Sequence, residues 1–199
     1  MPGRLVLVRH GESTWNAEHR LQGQLDPPLS AVGREQALAL TGLVAAIDVP
    51  SERVRCSDLL RARETADLLG LAVGRFDPRW REIDVGAWGG RTAAEVDAQG
   101  GGLTNWRGGP RTAPDGERWV TFAARVADAV QELVTAGGSW LVICHGGCIR
   151  ATCTHLTGAD ALAVGSPPNA STSTFELGPR PRLLSYGVLP DGRLPTGLY

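Results

Sequence analysis

Residues 4–12 read RLVLVRHGE and residues 140–147 read WLVICHGG. Each is a short run of leucine and β-branched residues that stops at His-Gly. A run of that length with no polar alternation reads as a strand buried on both faces, feeding a loop. Between and around these two strands the apolar spacing turns helical. Ser30 is placed to cap a helix to about Ile47, with Ala37, Leu40, Val44 and Ile47 on one stripe, and Pro50 helps to stop it. Arg53 to Cys56 reads as a short strand. Ser57 or Asp58 then caps a helix through about Leu69, which Gly70 ends. Trp119, Phe122, Ala123, Val126, Val130, Leu133 and Val134 form the strongest stripe, closed by Gly137 and Gly138. A further helix starts near Gly146 and runs through Leu156, and two strands follow, Ser173 to Leu177 and Arg182 to Val188. Residues 73–83 fit no single pattern beyond an extended segment broken by Pro78. Strands alternating with helices predict a three-layer α/β/α sandwich with a mainly parallel central sheet. Ligands of such sheets sit beyond the carboxyl ends of the strands. That is where His10 and His145 are delivered.

The chain has 199 residues, 42% hydrophobic and 21% charged, which suits one soluble domain over residues 1–199. Residues 100–116, GGGLTNWRGGPRTAPDG, are too rich in glycine and proline for a regular element. A loop of that length reads as a lid or specificity segment, here taken as 100–117. Net charge is −1, with no excess of positive charge for nucleic acid. All 20 basic residues are arginine. The absence of lysine excludes a Schiff-base lysine and the lysine of a phosphate-binding P-loop. Arginine remains, with a rigid fork of donors for carboxylates and phosphates. The four cysteines, Cys56, Cys144, Cys148 and Cys153, form no C-x-x-C pair, and no metal-ligand cluster is evident. No apolar stretch is long enough for a signal peptide or a membrane span, so a reducing cytoplasm is expected and no membrane partner.

Four segments carry polar chemistry. At the first strand end, Arg9 supplies a cation, His10 a nitrogen nucleophile, and Ser13, Thr14 and Asn16 neutral hydrogen-bonding groups; Gly11 gives room for close approach to a ligand. At the second, His145 precedes two glycines and a helix start, whose free N–H groups suit an anion. Arg61 lies in the first turn of its helix, where the helix dipole adds to its charge. Glu82 and Asp84 are carboxylates among large apolar residues, a setting that favours a protonated acid.

These segments resemble the histidine phosphatase superfamily, in its phosphoglycerate-mutase-like branch. LVLVRHGESTWN is similar to that family's signature, and RLQGQLDPPLSAVGREQA, CSDLLRARETA, REIDVGAWGG, VICHGGCIRA and PPNASTSTFEL follow in the family's order across nearly the whole chain. The resemblance implies that His10 attacks phosphorus and becomes phosphorylated. It implies that Arg9, Arg61 and His145 hold the phosphoryl oxygens, and that Glu82 protonates the leaving oxygen and later activates water. Asn16, Gln22, Gly23 and the backbone at Gly146 would complete the phosphate pocket. No cofactor and no metal are implied.

The family holds phosphatases and cofactor-dependent phosphoglycerate mutases. Mutases place basic and aromatic groups just after the catalytic glutamate to grip a carboxylate; here Ile83, Asp84, Val85 and Gly86 stand there. The expectation is therefore a phosphatase acting on a small phosphorylated metabolite. RLQGQLD and REIDVGAWGG resemble bacterial phosphatases of this branch, among them those acting on glucosyl-3-phosphoglycerate. In the 100–117 loop, Trp106, Arg107 and Arg111 are candidates for the outer pocket. A non-enzymatic phosphate sensor would be expected to lack one of the two histidines, Arg61 or the acid, and all are present. A homodimer is left open.

Overall fold

The computed structural model describes residues 2–99 and 113–193. Most of the 100–117 loop, with Trp106, Arg107 and Arg111, lies outside them. Six strands form one sheet in the order β3-β2-β4-β1-β5-β6: β1 Arg4–Arg9, β2 Val54–Cys56, β3 Arg75–Phe76, β4 Trp140–Cys144, β5 Thr172–Glu176 and β6 Arg182–Val188. The first four in space, β3, β2, β4 and β1, run parallel, while β5 runs against both neighbours. The sheet is thus mainly parallel.

Period-two alternation divides β1 and β4 between two cores. Leu5, Leu7, Trp140, Val142 and Cys144 face a cluster with Phe122, Val126 and Val130 of α6 (Trp119–Ala136) and Ile149 of α7 (Gly146–Thr157). Val6, Val8, Leu141 and Ile143 face the other cluster, with Leu40, with Val44 of α3 (Thr41–Ala45) and with Ala62 and Ala66 of α4 (Leu60–Leu68). A strand covered on both faces must be apolar at every position, which is why both runs lack polar alternation. Helices on each face of the sheet complete the three layers. All four cysteines are buried and free.

The helices differ from expectation in three ways. The helix expected from Ser30 to Ile47 breaks at Leu40 into α2 (Ala31–Ala39) and α3; the Leu40 N–H turns to the Ala37 carbonyl, a tighter step, just before helix-weakening Gly42. The cap of α4 is neither Ser57 nor Asp58. The Leu60 N–H donates instead to Asp26 Oδ1 at 2.6 Å, because Ser57 pairs with His145 and Asp58 with Arg81. Two short helices were not anticipated, α1 (Thr14–Ala17) and α5 (Ala93–Ala98); each opens with a capping box, Ser13 with Asn16 and Thr92 with Glu95.

Candidate active site

β1 and β4 are hydrogen-bonded neighbours in register, Arg9 opposite Cys144. The residues that follow, His10 and His145, therefore leave the sheet at the same level. Their ring centroids are 5.1 Å apart, edge to face. A cleft opens at this end of the sheet, and Arg9, His10, Asn16, Gln22, Gly23, Arg61, Glu82 and Gly146 line it. His145 is fully buried beside His10 and does not itself line the cleft.

The hydrogen bonds of His10 fix its tautomer. Nδ1 lies 2.6 Å from the Gly11 carbonyl oxygen, which can only accept, so Nδ1 carries the proton. Arg61 Nε donates to Nε2 at 3.3 Å, which makes Nε2 the lone-pair nitrogen. Burial, with Arg61 and Arg9 adding to it, holds His10 well below the usual imidazole range. The ring is neutral, with its nucleophilic nitrogen against a cation. Arg61 is 1% exposed and anchored by the carbonyls of Gly23 (2.8 Å) and Leu25 (2.9 Å); burial lowers it to about 10, so it remains charged at neutral pH. The Arg9 side chain donates to the Pro167 carbonyl and lies against the position a Cβ would take on Gly146. His145 Nε2 pairs with Ser57 Oγ at 2.8 Å, which leaves Nδ1 without a hydrogen-bond partner among the described residues. Burial first, then Arg61, His10 and Arg9, keeps His145 well below the usual range.

Neutral donors close the inner wall. Asn16 Oδ1 accepts from the Ser13 N–H and from Asn169 Nδ2, and Gln22 Oε1 accepts from Ser13 Oγ at 2.7 Å. With both amide oxygens engaged, both amide nitrogens are the groups left for an anion. Gly11 differs from expectation. A Cβ there would sit 2.3 Å from the Gly33 carbonyl oxygen, so the glycine permits contact between α2 and the signature loop, not approach of a ligand.

Glu82 lines the same cleft. Its Oε2 accepts from the Gly147 N–H at 2.9 Å, at the start of α7, and Oε1 from its neighbour Ile83 N–H at 2.9 Å. A Cβ on Gly147 would fall 2.0 Å from Oε1, so only glycine lets the carboxylate rest there. The Asp84 carboxylate accepts from the Gly86 N–H at 2.9 Å and does not face the cleft.

Sequence reading alone did not single out four participants. Asn169 donates to the carbonyls of His10 and Gly11 and to Asn16, tying the end of the chain to the signature; it lies inside the PPNASTSTFEL landmark. Ser166 and Arg150 also line the cleft. Trp119, read as part of a core stripe, faces the cleft too, with the Arg150 guanidinium 5.1 Å above its ring. Arg150 lies on α7 inside the VICHGGCIRA landmark, where it was given no role, and it is held by the carbonyls of Ala161 and Val164; no sequence signal marked Ser166.

The histidine phosphatase superfamily (branch 1) model matches residues 5–186. A glucosyl-3-phosphoglycerate phosphatase of Mycolicibacterium vanbaalenii is 42% identical over 173 residues, covering 78% of this chain and 74% of that one. A probable phosphoglycerate mutase of Citrobacter koseri is 34% identical over 163 residues, 75% and 74% of the two chains. Among solved structures, a mycobacterial glucosyl-3-phosphoglycerate phosphatase in complex with VO3 superposes with a TM-score of 0.83 at 34% identity, covering 93% of this chain and 98% of that one.

Proposed function

The chain belongs to the histidine phosphatase superfamily and is a phosphatase, and from that premise we propose that it hydrolyses small phosphate monoesters through a phosphohistidine at Nε2 of His10. The observation that carries this reading is the tautomer. Gly11 holds the proton on Nδ1, so the lone pair of Nε2 meets the cleft between Arg61 and the sheet end.

The steps follow from the geometry. An incoming phosphoryl group places its oxygens against Arg9, Arg61 and the amide nitrogens of Asn16 and Gln22. These fixed donors offset the charge that spreads over the oxygens during transfer. His10 Nε2 attacks phosphorus, the N–P bond forms and the P–O bond to the alcohol breaks. Glu82 delivers a proton to the departing oxygen. A water then attacks the phosphohistidine and gives its proton to Glu82, the N–P bond breaks, and phosphate leaves. His145 stands behind the cleft wall, and its Nδ1, without a hydrogen-bond partner among the described residues, is the group left for a phosphoryl oxygen that enters beside His10. The cations that a metal ion would otherwise supply are arginines.

The substrate class is a phosphorylated sugar acid or a similar small metabolite. Leu21, Ile83, Val85 and Trp119 add apolar groups to the cleft lining, and Arg20, ion-paired with Glu18 at 2.7 Å, adds a cation. A glycosylated phosphoglycerate offers a face for the first and a carboxylate for the second. The matching relatives named as glucosyl-3-phosphoglycerate phosphatases support this choice. Mutase action is the second reading, since some relatives carry that name. Against it stands the segment after Glu82, where Ile83 and Val85 face the cleft and no cation follows.

The test is a panel of phosphate esters ranked by kcat/KM, run beside a coupled assay for interconversion of 2- and 3-phosphoglycerate. Phosphate release is expected, with sugar-acid phosphates at the top and negligible interconversion. Interconversion faster than release would make the protein a mutase. No helix among the described residues is long and apolar enough to cross a membrane, and the reading adds a cytoplasmic setting, no nucleic-acid partner and, as a possible assembly, a homodimer.

A further inference from the structure

Glu82 sits on a stretch that belongs to neither helix nor strand. After the 3₁₀ turn Pro78–Trp80, residues 81–85 run alongside the core without a ladder, and their carbonyl groups need donors from elsewhere. One side chain reaches two of these carbonyls and two just before them. Arg125, on the second turn of α6, sends Nη1 to the carbonyl oxygens of Arg79 (2.9 Å) and Arg81 (3.0 Å), with that of Pro78 at 3.4 Å. Its Nη2 reaches the carbonyl of Glu82 itself at 3.4 Å. The guanidinium is in turn fixed by Glu117 through two bonds, Nε to Oε1 at 3.0 Å and Nη2 to Oε2 at 2.7 Å. Glu117 completes the loop: its N–H donates to the Asp84 carbonyl at 2.9 Å, and its Oε2 accepts from the Asp84 N–H at 3.3 Å. The backbone on both sides of Glu82 is therefore clasped by one ion pair. Neither member lines the cleft.

We infer that Arg125 and Glu117 form a positioning clasp that sets where the Glu82 carboxylate stands, and so govern proton delivery to the leaving group. The inference rests on the reading of Glu82 as the acid. Two features favour a positioning role over simple stability. The planar fork addresses several carbonyls at once, which lysine cannot reproduce. And the carboxylate that the clasp positions has its own tight seat, on the Gly147 N–H at 2.9 Å, where a shift of about 1 Å would break the bond.

The experiment reads leaving-group dependence. Wild type, Glu82→Gln, Arg125→Lys, Arg125→Met and Glu117→Gln are compared by kcat/KM on p-nitrophenyl phosphate, whose leaving group needs little protonation, and on an alkyl phosphate, which needs it. Glu82→Gln should lose about 100-fold or more on the alkyl ester and much less on the nitrophenyl ester. Arg125→Met should show the same pattern at about 10- to 100-fold, with KM little changed. Arg125→Lys should recover little, and Glu117→Gln, which keeps one acceptor for Arg125, should fall between wild type and Arg125→Met. Because the milder Glu117→Gln keeps the size of the side chain and changes only one carboxylate oxygen to an amide nitrogen, it serves if Arg125→Met does not fold. Equal losses on both esters in the clasp variants, with the pattern intact in Glu82→Gln, would overturn the clasp. Equal losses in Glu82→Gln as well would remove Glu82 as the acid, and the clasp with it.

Discussion

The ends of β1 and β4 look alike in sequence, an apolar run followed by His-Gly, and they lie side by side at the same height in the sheet. Their histidines nevertheless meet different surroundings. His10 turns one nitrogen to the Gly11 carbonyl and the other to Arg61 and the cleft. His145 is wholly buried, with Ser57 on one nitrogen and, among the described residues, no hydrogen-bond partner on the other. What separates them is where the chain goes after each His-Gly. The chain after His10 bends into the signature loop beside α4, which carries Arg61 and Thr65; the Gly11 N–H donates to Thr65 Oγ1. The chain after His145 turns straight into α7, whose first N–H groups face Glu82. Two equivalent strand ends thus hold their histidines differently, the proposed nucleophile on the cleft and its neighbour behind it, because different helices pack on them.

Substitution should separate them most strongly. His10→Ala is expected to abolish turnover with little change in melting temperature, because the ring lies at the cleft. His145→Ala should lower turnover on the order of 100-fold and also lower melting temperature, since it leaves a cavity in the core and the buried Ser57 hydroxyl short of a partner. Assays of phosphate release with parallel thermal melts check both. Equal turnover in the two variants would erase the distinction.

Gly147→Ala addresses the other arm of the comparison, the helix start after His145. The added methyl would fall 2.0 Å from Glu82 Oε1, so the carboxylate must move. A loss of about 100-fold on alkyl phosphates is expected, with far less on p-nitrophenyl phosphate. Full activity would mean that the seat of Glu82 on α7 is incidental.

Ser57→Ala should act mainly on the His145 side, since its other bond, from the Leu59 N–H at 3.3 Å, is the longer one. It removes the partner of Nε2 and is expected to cost about 1–3 kcal/mol of stability in chemical denaturation, with a modest drop in turnover. A melting temperature unchanged from wild type would show that His145 is held by packing alone.

The smallest effect concerns pH, and here the two histidines should behave alike. Both sit well below the ordinary imidazole value in the folded chain. In the unfolded chain they titrate near about 6.5. As pH falls through that value the unfolded state takes up protons that the folded state refuses, so stability declines from about pH 6.5 downward, until the folded-state values are passed. Denaturant titrations from neutral pH to about pH 5 should show that slope, shallower in either alanine variant. A slope unchanged in both variants would place its origin elsewhere.

Much of this was legible in the sequence, and the exceptions share a cause. The apolar runs at Leu5–Val8 and Trp140–Cys144 encode burial on both faces, so the sheet could be read directly. Arg9, His10 and His145 lay in motifs at strand ends, and Arg61 and Glu82 in two further landmarks of the sequence, the first turn of a helix and a segment among large apolar residues. What escaped the reading depends on partners far away in sequence. The start of α4 was misplaced because Asp26, 34 residues earlier, supplies the acceptor for Leu60. Gly11 was assigned to a ligand because nothing local shows that Gly33 packs against it. Asn169 and Arg125 act on carbonyls about 160 and 43 to 47 residues away, and no spacing rule reaches that far.

The central claim, that His10 and not His145 carries the phosphoryl group, is tested most directly by trapping it. Protein mixed briefly with a labelled phosphate ester, quenched in base to protect the acid-labile N–P bond, and mapped by mass spectrometry should carry phosphate on His10, with nuclear magnetic resonance assigning it to Nε2. Phosphate found on His145, or label of wild-type intensity in His10→Ala, would contradict the account.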